Sequence, residues 1–210
     1  MSRPNLSARD AFVRLKEGNG RYGKNLRSVE SMLGHMGKDL TGRQSPFAIV
    51  LGCSDSRAPA ETVFDQGLGD LFVIRVAGNI VAPSQVGSVE FAAERFGTRL
   101  VVVMGHTQCG AIDATIEAMT SEQGPTSRGI SSIVDRIRPS IESLVHTELA
   151  RDPVRLRREA MRANVRFSVD HLRHGSAIIE GLALQDGLVV VGAELDLTSG
   201  EVVFFEDVPA

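Results

Sequence analysis

At 210 residues and 42% hydrophobic content, the chain is long enough to bury one sizeable core and has the balance of a soluble globular domain. Its formal charge of -3 at pH 7, with no basic run, excludes the electrostatic pull that nucleic acid or an anionic membrane would exert. The stretch from Met1 to Lys16 is charged at Arg3, Arg9, Asp10, Arg14 and Lys16 without an apolar leader, and no apolar run nears the roughly 20 residues of a membrane-spanning helix, which predicts a cytoplasmic protein.

In chain order, Ala11, Phe12 and Leu15 predict an amphipathic helix from about Ser7, followed by a polar connection through Gly42. A helix set apart in this way is expected to pack on a partner subunit. Phe47 to Leu51, Leu71 to Val76 and Leu100 to Met104 are short, rich in β-branched residues and not alternating, as parallel strands buried on both faces are. Between the second and third, Val86, Val89, Ala93 and Phe96 fall at helical spacing, with Gly97 as the stop. A second helical stretch, Ile130 to Leu149, contains Pro139 and is expected to break or kink there. Asp152 and Pro153 read as an N-cap and first-turn proline of a long helix with the apolar stripe Met161, Val165, Val169 and Leu172, ended at Gly175. Along it, Arg155, Arg157, Arg158, Arg162 and Arg166 read as a solvated face, and His171 and His174 as solvent-facing residues near the helix end, where they complement the dipole. A fourth strand, Leu188 to Ala193, leads through a Thr198-Ser199-Gly200 turn into Glu201 to Phe205, a hairpin that adds one antiparallel edge strand. The fold class expected is α/β: a mainly parallel central sheet of four parallel strands plus an antiparallel C-terminal edge strand, flanked by helices, with an N-terminal helical arm.

Both cysteines of the chain lie just past strand-like runs, Cys53 in Cys53-Ser54-Asp55-Ser56-Arg57 and Cys109 in His106-Thr107-Gln108-Cys109. Carboxyl ends of neighbouring parallel strands converge on one crevice, so Cys53, His106 and Cys109 can reach one ion. Two thiolates and an imidazole suit zinc and leave a fourth tetrahedral position open, where water becomes a hydroxide nucleophile near neutral pH. Asp55 and Arg57, two residues apart, can pair so that the carboxylate stays ionised. Three readings of Asp55 stay open at this point: acceptor from the zinc hydroxide, fourth zinc ligand, or turn residue.

The two motifs, together with Phe64 to Arg75 and Ala77-Gly78-Asn79, resemble the β-class carbonic anhydrases from about Ser7 to Glu206. The resemblance implies a single domain over 1–210, with an arm at about 1–44 and a zinc-binding core at about 45–210. It implies zinc on Cys53, His106 and Cys109, and an Asp55–Arg57 dyad that orients the zinc-bound hydroxide or, as a conditional fourth ligand, has Asp55 replace it as pH falls. It also implies a glutamine at Gln44 bonding a bicarbonate oxygen, an apolar carbon dioxide pocket at Phe72, Ala77 and Phe91, and Gly110 among the substrate-binding positions. The expected activity is that of a lyase, carbonate dehydratase: reversible hydration of carbon dioxide to bicarbonate and a proton. Self-association as a homodimer or tetramer is implied too. Some relatives hold bicarbonate in a second pocket of tryptophan, arginine and tyrosine; here Val50 replaces the tryptophan and only Arg75 remains, so that pocket is expected to be absent. Two alternatives stand beside this: hydrolysis of a related small molecule such as carbon disulfide, and a non-catalytic zinc-stabilised binding protein closed by Asp55.

Overall fold

Residues 5–26, 41, 44–121 and 127–209 are described by the computed structural model. The strands are β1 (Ala48–Gly52), β2 (Leu71–Arg75), β3 (Leu100–His106), β4 (Val189–Leu195) and β5 (Val202–Phe204). The helices are α1 (Ala8–Gly23), α2 (Ala60–Val63), α3 (Pro83–Phe96), α4 (Gly110–Thr120), α5 (Arg128–Ile141), α6 (Pro153–His174) and α7 (Ala177–Gln185), with 3₁₀ turns at Ala77–Asn79 and Glu148–Arg151. The sheet has the order β2-β1-β3-β4-β5, with β1 to β4 parallel and β5 antiparallel to β4. This is the α/β arrangement that the run lengths and the hairpin signal predict.

Side chains alternate across each strand, so the sheet feeds two cores. Ile49, Leu51, Val101 and Val103 join the α6 residues Ala160, Met161, Val165, Val169 and Leu172 on one face. Ala48, Val50, Leu100, Val102 and Met104 meet Ala8, Ala11, Phe12 and Leu15 of α1 on the other. The strands read as continuous apolar runs because both faces are covered.

The helix ends follow the local signals. Ser7 caps α1 by accepting from Asp10 N–H, and Asp152 caps α6 by accepting from Arg155 N–H, with Pro153 in the first turn. Gly97 stops α3 in left-handed backbone at φ 67°. His171 and His174 are exposed in the last turn of α6.

Three expectations need correction. The break at Pro139 does not occur there: α5 runs through the proline and ends at Ile141, because Ile137 and Ile141, both fully buried, hold the last turn on the core although one backbone donor is missing. The helix expected to pack on a neighbour instead buries its apolar face, Ala8, Ala11, Phe12 and Leu15, on its own sheet. The connection through Gly42 lies outside the described residues. The α6 arginines are not a simple solvated face either: Arg158 and Arg162 both pair with Glu194, only 1% exposed, at 2.8 and 2.6 Å, Arg157 pairs with Asp113, and Arg166 lies over the Phe205 ring. A buried carboxylate on β4 requires such partners, and Arg155 alone of the five remains as expected, exposed and solvated.

Helix α6 packs against the sheet over two glycines. A Cβ on Gly105 would fall 2.6 Å from Val165 Cγ2 and 2.7 Å from Met161 Sδ, and one on Gly192 would fall 3.0 Å from Val165 Cγ1. These two glycines let the helix press on β3 and β4 immediately before His106.

Candidate metal centre

Cys53 leaves the end of β1, His106 is the last residue of β3 and Cys109 caps the start of α4. Parallel pairing of β1 with β3 brings these ends side by side. The donor atoms of Cys53, His106 and Cys109 all lie within 4.8 Å of one another, and all three residues are buried. The turn from His106 to Cys109 passes through Gln108 in left-handed backbone at φ 57°.

The chemistry of this donor set fits a metal ion. His106 Nδ1 lies 2.9 Å from Thr107 O, which assigns the ring proton to Nδ1 and leaves Nε2 with a lone pair. That Nε2 is buried and has no hydrogen-bond partner among the described residues. Burial pulls the imidazole pKa down, but the Cys53 sulfur, the Thr107 carbonyl and the Asp55 charge outweigh it, and the net direction is up. The thiols split: hydrogen bonding from Cys109 pulls Cys53 well down, and the same bond, reinforced by burial, pushes Cys109 up. Such a pair shares one negative charge until a cation replaces the remaining proton. Gly78 N–H also donates to Cys53 Sγ at 3.4 Å.

Asp55 borders this triad. Arg57 grips it in a two-pronged pair, Nε to Oδ1 at 2.9 Å and Nη2 to Oδ2 at 2.8 Å, and the Arg57 backbone N–H donates to Oδ1 at 2.9 Å. These bonds hold the carboxyl far below the usual carboxylate range. Asp55 Oδ2 lies 3.9 Å from His106 Nε2. Arg57 Nη2 also reaches Gln108 O at 3.3 Å, tying the dyad to the loop that bears Cys109. Arg75 fastens the other side of the loop, with Nε on Cys53 O at 3.0 Å and Nη2 on Asp55 O at 2.5 Å. Val50 is fully buried.

The remaining predicted positions divide. Ala77 adjoins Gly78 in the 3₁₀ turn, and Gly110 opens α4 beside Cys109. Phe72 and Phe91 meet at 6.3 Å between ring centroids and share Phe96, although Phe91 is 53% exposed. Gln44 is exposed and precedes β1, at the opposite end of that strand from Cys53; β1 alone spans about 16 Å at ~3.3 Å per residue. Sequence reasoning passed over Arg75 as a loop clamp and Asn164 and Ser168, which bond the 77–79 turn from α6. A polar residue within an apolar helical stripe was the signal available for the last two.

The description "Carbonic anhydrase" belongs to the family profile that matches residues 48–202. Carbonic anhydrase 2 of Mycobacterium tuberculosis is 34% identical over 202 residues, 95% of this chain and 94% of that one. A carbonic anhydrase of Mycolicibacterium smegmatis is 41% identical over 140 residues, 66% of each chain. Among solved structures, one of the two tetrameric β-carbonic anhydrases of Sordaria macrospora shares the fold with a TM-score of 0.74 at 22% identity, covering 96% of this chain and 100% of that one. With a Cys-His-Cys cluster able to hold a metal ion beyond the ends of its parallel strands and a paired Asp55–Arg57 beside it, the chain belongs to the β-class carbonic anhydrases.

Proposed function

We propose that this chain catalyses the reversible hydration of carbon dioxide to bicarbonate and a proton, with zinc as its metal. One observation carries the reading: a buried imidazole nitrogen with no hydrogen-bond partner among the described residues lies with two buried thiols, beside a carboxylate already committed to Arg57. Cys53, His106 and Cys109 would hold the ion, and two sulfurs with one nitrogen leave a fourth tetrahedral position. Zinc there supplies the Lewis acidity that lets a water lose its proton near neutral pH.

The other steps belong to the chain. Asp55, held anionic, accepts the O–H of the attacking oxygen and aims its lone pair at carbon. Arg57 fixes Asp55 in that role, and its own attachment to Gln108 O keeps the dyad in register with the Cys109 loop. Carbon dioxide has neither charge nor net dipole, so the apolar Phe72, Ala77 and Phe91 suit it as a wall. Gly110, at the N-terminus of α4, offers its backbone N–H to the bicarbonate product. Engagement of Asp55 by Arg57 supports an open fourth position over a permanently closed, non-catalytic site. The same carboxylate is the group placed to take that position at lower pH; zinc absorption spectra that are identical at acid and alkaline pH would exclude the exchange.

Gln44 precedes β1 while Cys53 follows it, and from this separation we infer that Gln44 acts on a neighbour's site in a homodimer. The Sordaria macrospora proteins are tetrameric, which is consistent with self-association here. Arg75 is already engaged by two loop carbonyls, which supports the absence of a second bicarbonate pocket; an ordered bicarbonate against Val50 and Arg75 in a soaked crystal would refute it. Two free, buried cysteines suit a reducing compartment, and we read the protein as cytoplasmic; among the described residues no helix is long and apolar enough to cross a membrane.

The test is acidification of a weakly buffered solution after addition of dissolved carbon dioxide, read above about pH 8 with the zinc-loaded protein. A rate well above that of Cys53→Ser is expected. No excess over that variant at any pH would remove the proposed activity.

A further inference from the structure

Behind the Cys53 sulfur, a set of buried hydrogen bonds runs from helix α6 to the metal centre without passing through the Asp55–Arg57 dyad. Gly78, in the 3₁₀ turn, donates its N–H to Cys53 Sγ at 3.4 Å. The carbonyls of the turn face α6, where Asn164 Nδ2 donates to Gly78 O at 2.8 Å and Ser168 Oγ donates to Asn79 O at 3.2 Å. Gly78 and Asn79 both hold left-handed backbone, at φ 69° and 44°. A Cβ at Gly78 would come within 2.8 Å of Ile137 Cδ1 and 3.0 Å of Ala111 Cβ, so α4 and α5 press on the turn that α6 holds. Backbone bonds from Asn79 N–H to Val76 O at 3.0 Å and from Val76 N–H to Gly52 O at 3.1 Å tie the turn to the end of β1, and α6 holds its carbonyls.

Asn164 is an unfavourable choice on packing grounds. It is 1% exposed within the stripe of Ala160, Met161 and Val165, and its Oδ1 has no partner among the described residues. An amide buried with one polar atom unpaired lowers stability, whereas leucine would fill a similar volume without that penalty. What the amide gains at this place is the bond to Gly78 O.

We propose that Asn164 is a positioning residue for the metal centre: by holding Gly78 O it keeps the Gly78 N–H on Cys53 Sγ. The inference rests on the reading of Cys53, His106 and Cys109 as metal ligands. A hydrogen bond to a metal thiolate withdraws charge from the sulfur and leaves the metal a stronger Lewis acid, and partners of this kind orient ligands as well. Ser168 holds the second carbonyl of the turn and acts in the same sense with less leverage.

The experiment compares wild type with Asn164→Leu and Ser168→Ala, each loaded with cobalt(II) as a spectroscopic probe. In Asn164→Leu the sulfur-to-cobalt charge-transfer band should move to lower energy, since the thiolate has lost its donor. Exchange of the Gly78 amide proton in the metal-free protein should be about ten-fold faster, and kcat/KM should drop about ten-fold with cobalt fully bound. Ser168→Ala should shift the band in the same direction by less, and it decides the matter if Asn164→Leu does not fold. An unmoved band and an unchanged Gly78 amide in a folded Asn164→Leu, or in Ser168→Ala where that variant decides, would overturn the positioning role. Wild-type protein that takes up no cobalt would instead remove the metal reading, and this inference with it.

Discussion

Beside the cluster of Cys53, His106 and Cys109, Asp55 is paired with Arg57. Two parallel N–H···O bonds and a backbone N–H leave the carboxylate no freedom to rotate without losing charge-assisted bonds. Lysine keeps the charge but not the fork, so Arg57→Lys is predicted to lower kcat/KM for carbon dioxide hydration at least about ten-fold with zinc content unchanged. Steady-state kinetics and metal analysis on one preparation check it, and a wild-type kcat/KM would contradict the orienting role. The Asp55–Arg57 pair and the cluster of Cys53, His106 and Cys109 were legible in the sequence because they lie in two short motifs next to strand ends. Glu194 was not, because its partners Arg158 and Arg162 lie 36 and 32 residues away along the chain and a lone glutamate in a strand carries no pairing signal.

Among the elements, α6 does the most to place the site, since it lies on β3 and β4 and reaches the 77–79 turn. The contact depends on Gly105, where any side chain meets Val165 and Met161. Gly105→Ala should therefore destabilise the protein by about 1–3 kcal/mol through overpacking, measured as a lowered urea midpoint. The C-terminal hairpin offers a pH test. Asp196 Oδ1 accepts from Thr198 N–H at 2.8 Å and Ser199 N–H at 3.1 Å, and these bonds lower its pKa. A carboxylate depressed in the folded state stabilises it at neutral pH and loses that effect as pH falls below about 4. Asp196→Ala should thus cost about 1 kcal/mol at pH 7 and progressively less toward pH 3; a pH-independent difference would count against the bonds. Strand runs, caps and the hairpin were readable because each is fixed by residues near in sequence. The path through Pro139 was not, because burial of Ile137 and Ile141 offsets the missing donor there. The lodging of α1 on its own sheet escaped the sequence too, since an apolar helix face does not say which sheet it covers.

At the scale of the whole molecule, two of the expected substrate positions lie away from the Cys53, His106 and Cys109 cluster or open to solvent. Gln44 stands at the wrong end of β1, while Phe91 leaves an aromatic cluster open to solvent beside the edge strand β2. If Gln44 serves a neighbour, inactive Gln44→Ala and inactive Cys53→Ser subunits should complement each other on mixing. Half of randomly mixed dimers are hybrids with one complete site, so activity should recover to about a quarter of wild type. No recovery, with hybrids confirmed by mass, would place Gln44 outside catalysis or in its own subunit.

The most direct measurement of the metal centre is zinc X-ray absorption on stoichiometrically loaded protein. Cys53, His106 and Cys109 predict one zinc per chain with two sulfurs at about 2.3 Å and two lighter atoms at about 2.0–2.2 Å, one of them imidazole. A shell without two sulfurs, or a protein that retains no zinc, would contradict it.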